Sequence, residues 1–158
     1  MPMRLVMIFV MGMVMGCGME LGQVSEEAAT DSTELKYNAE LAAELGADDY
    51  GMKRYVMAFL KSGPNRNQDP ELVQEIQAGH MAHIASMAES GKLVLAGPFL
   101  DGGSIRGIFV FDATLEEAEA LTAADPAVQS GRLVMELHSW YGSAAIMQVN
   151  EIHSTLTQ

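Results

Sequence analysis

Cysteine is nearly absent. Cys17 is the only one in 158 residues, which excludes a disulfide framework, a cysteine-ligated metal cluster and a resolving thiol. Basic residues are scarce too: nine Lys and Arg stand against 21 Asp and Glu, for a net charge of −12. A chain this acidic is repelled by nucleic acid and by anionic lipid headgroups, and no basic cluster offsets the repulsion. Cofactor and nucleophile motifs are missing as well. There is no HExxH for zinc, no dinucleotide fingerprint, and no serine in a GxSxG elbow. Gly102-Gly103 lacks the lysine that would make it a phosphate loop and reads as a turn. No internal repeat is visible. With 49% apolar residues, the length fits one domain plus extras rather than two domains.

The N-terminus carries an address. Arg4 precedes an apolar run over 5–15 that is too short to span a bilayer comfortably. The run ends in Val14-Met15-Gly16-Cys17, which resembles the lipobox of bacterial lipoproteins, with Met15 an unusual choice for its second place. That resemblance implies cleavage before Cys17, acylation of its sulfur and amine, and anchoring by several acyl chains where one would not suffice. Gly18 is not the Asp that retains enterobacterial lipoproteins at the inner membrane, so the expected destination is the outer membrane. The plainer alternative is a secretory signal with an incidental cysteine. The expected organisation is a signal peptide over 1–16, a lipidated, acidic tether with a short helix over 17–49, a folded domain over 50–142 and a tail over 143–158.

NAELAAEL with Gly46 behind it predicts a short helix over 38–45. RYVMAFLK (54–61) reads as a strand, closed by the breaker-rich SGPNRNQ. Asp69-Pro70 offers an N-cap and a first helical residue for a helix that ends at Gly91. Strands follow over 92–97 and 107–112, joined by a glycine-rich hairpin connection. Thr114 and Glu117 form a capping box for a helix to residue 124, and a fourth strand covers 132–141. The tail reads as one more short helix or an arm. The order βαββαβ defines an α+β, ferredoxin-like split sandwich: a four-stranded antiparallel sheet with two helices on one face. Such a sheet should alternate apolar and polar residues, yet 55–60, 93–96 and 108–111 are apolar on both faces. No segment of the chain suggests itself as a cover for the second face. A homodimer, sheet against sheet, is expected.

One residue breaks the helical pattern. Leu72, Val73, Ile76, Ile84 and Met87 recur at three- and four-residue steps, and His80 falls four after Ile76 and four before Ile84. An imidazole on a buried stripe must find a hydrogen-bond partner. It is either a satisfied core histidine or a general acid/base, a task its ordinary titration range suits.

The chain over 55–141 resembles a YCII-related (YciI-like) domain, a branch of the dimeric α+β-barrel superfamily. Three features carry the likeness in order: His80 eleven residues before Gly91 in the run GKLVLAGP, Ala96-Gly97-Pro98 followed by Phe99-Leu100-Asp101, and Ala124-Asp125-Pro126 after the second helix. The resemblance implies an active site built on a histidine and an aspartate, here His80 and Asp125. It implies a site and leaves the substrate open; relatives in the wider superfamily act on small cyclic or aromatic compounds. Asp125 before Pro126 also reads as a helix cap, and one carboxylate can serve both roles.

The expected function is therefore a cofactor-independent enzyme that moves protons on a small cyclic or aromatic molecule: abstraction, isomerisation or elimination. His80 would be the acid/base, Asp125 would orient it, and Gly97 and Pro98 would shape the pocket wall. The alternative is a non-catalytic ligand-binding or envelope interaction module. His80 and His83 lie three apart on one helix face, a spacing two metal ligands could share, but a third such as Asp125 or His138 would be needed, and no metal is expected. Arg106 is a candidate contact for an anionic substrate or a solvated arginine, and Trp140 and Tyr141 either roof a pocket or sit in a dimer interface.

Overall fold

The computed structural model describes residues 36–157. Asn38 caps helix α1 (Ala39–Glu44) through its side chain, and Gly46, at φ +67°, lies just beyond the helix end. Strand β1 (Met52–Ser62) is followed by α2 (Pro70–Glu89), β2 (Leu93–Pro98), β3 (Ile105–Phe111), α3 (Leu115–Ala123), a single-turn α4 (Pro126–Gln129) and β4 (Leu133–Ser143). A 3₁₀ segment (Ala144–Gln148) and α5 (Val149–Ser154) complete the described chain. The strands order as β2-β3-β1-β4, and β1 is antiparallel to both neighbours. This is the ferredoxin-like βαββαβ arrangement. Local signals behave as their chemistry requires. The Thr114/Glu117 box is closed in both directions, and Gly91 takes φ +72° after α2. Asp69 occupies the N-cap position of α2, but its side chain makes no capping hydrogen bond there.

On the helix side of the sheet, Val56, Ala58 and Leu60 of β1 and Phe109 and Phe111 of β3 meet Met87 of α2 and Ala118 of α3. Burying the Val, Leu, Phe and Met side chains among these contributes roughly 1.5–3 kcal/mol each. The opposite face corrects one expectation, because the chain does supply a cover for part of it. The tail folds back, and its Ile146 and Met147 pack with Trp140 against Tyr55, Val94 and Val110. One backbone and one side-chain hydrogen bond fix the tail in place: Ala144 N–H donates to Gly51 O at 2.9 Å, and Asn150 Nδ2 donates to Leu93 O at 2.8 Å. The boundaries expected at 50 and 142 accordingly fall inside a compact unit that spans Tyr37–Gln158. The rest of that face, around Phe59, Ile108 and Val134, is half-buried or exposed among the described residues.

Candidate functional site

The periodicity that placed His80 on the buried stripe of α2 delivers it to the sheet. Its ring stacks on Phe109 of β3 with centroids 6.1 Å apart and planes 23° apart. Asp125 arrives at the start of α4, which packs directly against α2. Its Oδ1 accepts the Ala127 N–H at 2.8 Å, the capping bond expected of Asp before Pro. Its Oδ2 lies 2.7 Å from His80 Nδ1. Asp125 is wholly buried and His80 nearly so. One oxygen of Asp125 thus caps α4 while the other faces the imidazole.

An ionised carboxylate only accepts, so opposite it His80 Nδ1 donates, and in the neutral ring the lone pair then sits on Nε2. Every described side-chain nitrogen or oxygen that is shut off from solvent has a partner. Nε2 makes no hydrogen bond, so it is open, and the opening is a cavity of about 460 Å³. Gly97, Pro98, Met81, Ile84 and Phe109 contribute walls to it. Gly107 is fixed there by close approach of β2 to β3, since a Cβ on it would stand 2.6 Å from Gly97 O.

Two features of the site had no clear signature in the sequence. The first is Gly79, where a Cβ would meet the Pro126 ring at 3.0 Å. A bare Cα at this point lets α4 press against α2, and that contact brings Asp125 within reach of His80. The second is charge. Arg66 and Arg132 line the cavity along with Arg106. Nothing in the breaker-rich loop singles out Arg66, and Arg132 reads only as a strand start. The loop and the turn before β4 are stitched together: Gly63 N–H donates to Arg132 O at 2.8 Å, and Asn65 N–H to Gly131 O at 3.0 Å.

The remaining candidates lie elsewhere. His83 Nε2 bonds Leu121 O at 2.8 Å and ties α2 to α3. His138 sits beside Glu136 and edge-on to Phe59, on the sheet face away from His80. Among the described residues, no three His, Cys, Asp or Glu side chains come together as metal ligands would. Trp140 and Tyr141 do not roof the His80 cavity; they border a separate hollow with Arg54 and Asp48. Tyr141 OH donates to Asp48 Oδ2, which holds the Asp48 carboxyl below its usual range and raises the phenol. Cys17 and the lipobox-like run lie outside the described residues.

The sequence matches the YCII-related domain over residues 54–140, and the chain belongs to that family. No curated protein matches it. Among solved structures it is similar to a 5-chloro-2-hydroxyhydroquinone dehydrochlorinase from Burkholderia phenoliruptrix, determined in complex with 2,5-dihydroxybenzoquinone. That similarity has a TM-score of 0.42 at 16% identity and covers 56% of this chain and 93% of the other.

Proposed function

We propose that this YCII-related domain is a cofactor-independent acid–base enzyme acting on a small cyclic or aromatic molecule, with His80 as the catalytic base and acid. The observation that carries this reading is the buried Asp125–His80 pair whose free Nε2 opens into a cavity of about 460 Å³. Nε2 takes a proton from an acidic C–H of the bound molecule, and the electron pair left on carbon spreads onto an adjacent carbonyl. Asp125 stabilises the imidazolium so formed and holds the ring in place, as the orienting aspartate of a triad does. The imidazolium then returns the proton at another carbon, completing an isomerisation. Alternatively, the electron pair expels a leaving group from the neighbouring carbon, completing an elimination. Asp125 is a positioning residue in this scheme.

The same reading makes the protein an exported lipoprotein, anchored through Cys17 to the outer membrane, and a homodimer. The dimer would form through the part of the sheet face that the tail leaves uncovered, where Phe59 and Ile108 are half-buried and Val134 exposed. The test of the chemistry is deuterium wash-in. Small molecules retained by the purified protein are identified and incubated with it in D₂O, and their C–H positions are followed by NMR. Exchange that the wild type catalyses and His80→Ala abolishes, with ligand affinity kept, is the expected result. Exchange that survives His80→Ala, or a retained ligand that never exchanges, leaves a binding module instead.

A further inference from the structure

We infer that the His80 cavity takes an organic anion: a molecule with a compact apolar body and a carboxylate or similar oxyanion that the arginines bind. This rests on the cavity being the ligand site proposed above and adds the charge of what it holds.

The argument begins with how few positive charges the chain has to place. Of its nine Lys and Arg, three arginines, Arg66, Arg106 and Arg132, border this single cavity. They come from three separate places, the loop after β1, the start of β3 and the turn before β4, so helical or strand periodicity does not explain their meeting. No Asp or Glu is among the residues lining the cavity. Asp125 stands behind the imidazole, and even with it ionised the site carries net positive charge.

Three of the four lysines behave differently. Lys53, Lys61 and Lys92 each pair with a carboxylate, Asp112, Glu136 and Glu117 respectively. In a chain with 21 acids, the three cavity arginines pair with none among the described residues. Their guanidinium groups bond only neutral acceptors: Arg66 Nη1 donates to Arg132 O at 3.1 Å, Arg132 Nη1 to Gln68 Oε1 at 2.8 Å, and Arg106 Nη1 to Gly103 O at 3.4 Å. These bonds orient the heads and leave most of the five N–H donors of each group unused. Guanidinium forks suit planar oxyanions, which they hold bidentately. The other walls, Met81, Ile84 and Phe109, are apolar and fit a hydrocarbon body.

The test compares benzoate with benzamide, isosteric probes that differ in charge, and inorganic phosphate, an anion without an apolar body, on the full chain by NMR. Benzoate is expected to shift the His80 and Phe109 ring resonances and to bind about tenfold or more tighter than benzamide. Phosphate is expected to bind more weakly than benzoate. Arg106→Gln, which gives up only a bond in an exposed turn, should weaken benzoate by about tenfold and leave benzamide unchanged; Arg66→Gln should repeat the pattern. Equal binding of benzoate and benzamide, no shift with any probe at 20 mM, or indifference of benzoate to both substitutions overturns the inference. Tighter binding of phosphate than benzoate overturns the apolar-body part of it. The acid–base reading fails separately: loss of anion preference with deuterium exchange intact sinks only the anion site, and the reverse outcome sinks only the chemistry.

Discussion

Gly79 of α2 touches the ring of Pro126, the first residue of α4. A Cβ on Gly79 would stand 3.0 Å from Pro126 Cγ and 3.3 Å from its Cβ. This contact sets the separation of the two elements that carry His80 and Asp125, whose side chains then meet at 2.7 Å. Two residues with no part in the proposed chemistry hold the two on which it rests.

Gly79→Ala should therefore separate stability from activity. Alanine gains about 1 kcal/mol of helix propensity, while crowding Pro126 costs about 1–3 kcal/mol. Chemical denaturation should find the variant within about 2 kcal/mol of wild type. Deuterium wash-in should be reduced about tenfold or more, because small displacements of catalytic groups are costly. Unchanged exchange would mean that the helix contact does not position the dyad.

Asp125→Ala removes a helix cap and a buried imidazole's partner together. The expected loss is about 2–4 kcal/mol in urea denaturation, the sum of a typical cap and an unsatisfied buried nitrogen. Asp125→Asn retains an oxygen for Ala127 N–H and should cost less, yet it withdraws the charge that stabilises the imidazolium. Its signature should be a reduced exchange rate and an altered pH profile with near-normal ligand affinity.

The Thr114 cap predicts a specific acid response. Hydrogen bonding from the Thr114 backbone N–H, and then from Lys92, holds the Glu117 carboxyl below the usual glutamate range. A lowered carboxyl contributes stability above the unfolded value of about 4.3 and loses it as pH falls through the folded value. Glu117→Gln can still accept from Thr114 but has no proton to take up. Between about pH 5 and 3 its denaturation midpoint should fall less steeply than that of the wild type.

Tail deletion tests the cover on the second sheet face. Removing residues 144–158 strips Ile146 and Met147 from Tyr55, Val94 and Val110 and leaves Leu93 O without its Asn150 donor. Unfolding should become easier by about 2–5 kcal/mol, with increased binding of an apolar dye. Asn150→Ala alone should cost about 1 kcal/mol. A deletion as stable as the full chain would show that the tail merely rests on the sheet.

Much of the molecule is written locally, and that part was readable. Thr114 and Glu117 sit within one helical turn, Asp125 caps the residue two ahead, and the spacing of Ile76, His80 and Met87 fixes which face of α2 turns inward, although Leu72 near its start stays exposed. The α+β class and the antiparallel sheet followed from the βαββαβ sequence of elements, and His80 stood out because a polar ring interrupted an apolar stripe. Likeness to the YCII pattern joined it to Asp125, a pairing that periodicity could not supply.

What the sequence determined alone is the set of elements, their order, the inward face of α2 and the charge deficit that makes every arginine conspicuous. Tertiary structure decided that Gly79 lies under Pro126, that Arg66 and Arg132 join Arg106 at the mouth of one cavity, and that residues 144–154 cover part of the second sheet face. The division has a physical reason. Helix periods and caps act between residues a few positions apart, whereas the Asp125–His80 bond spans 45 positions and the Arg66–Arg132 contact 66. Contacts at that range come from the packing of whole elements, and no short window of residues encodes them.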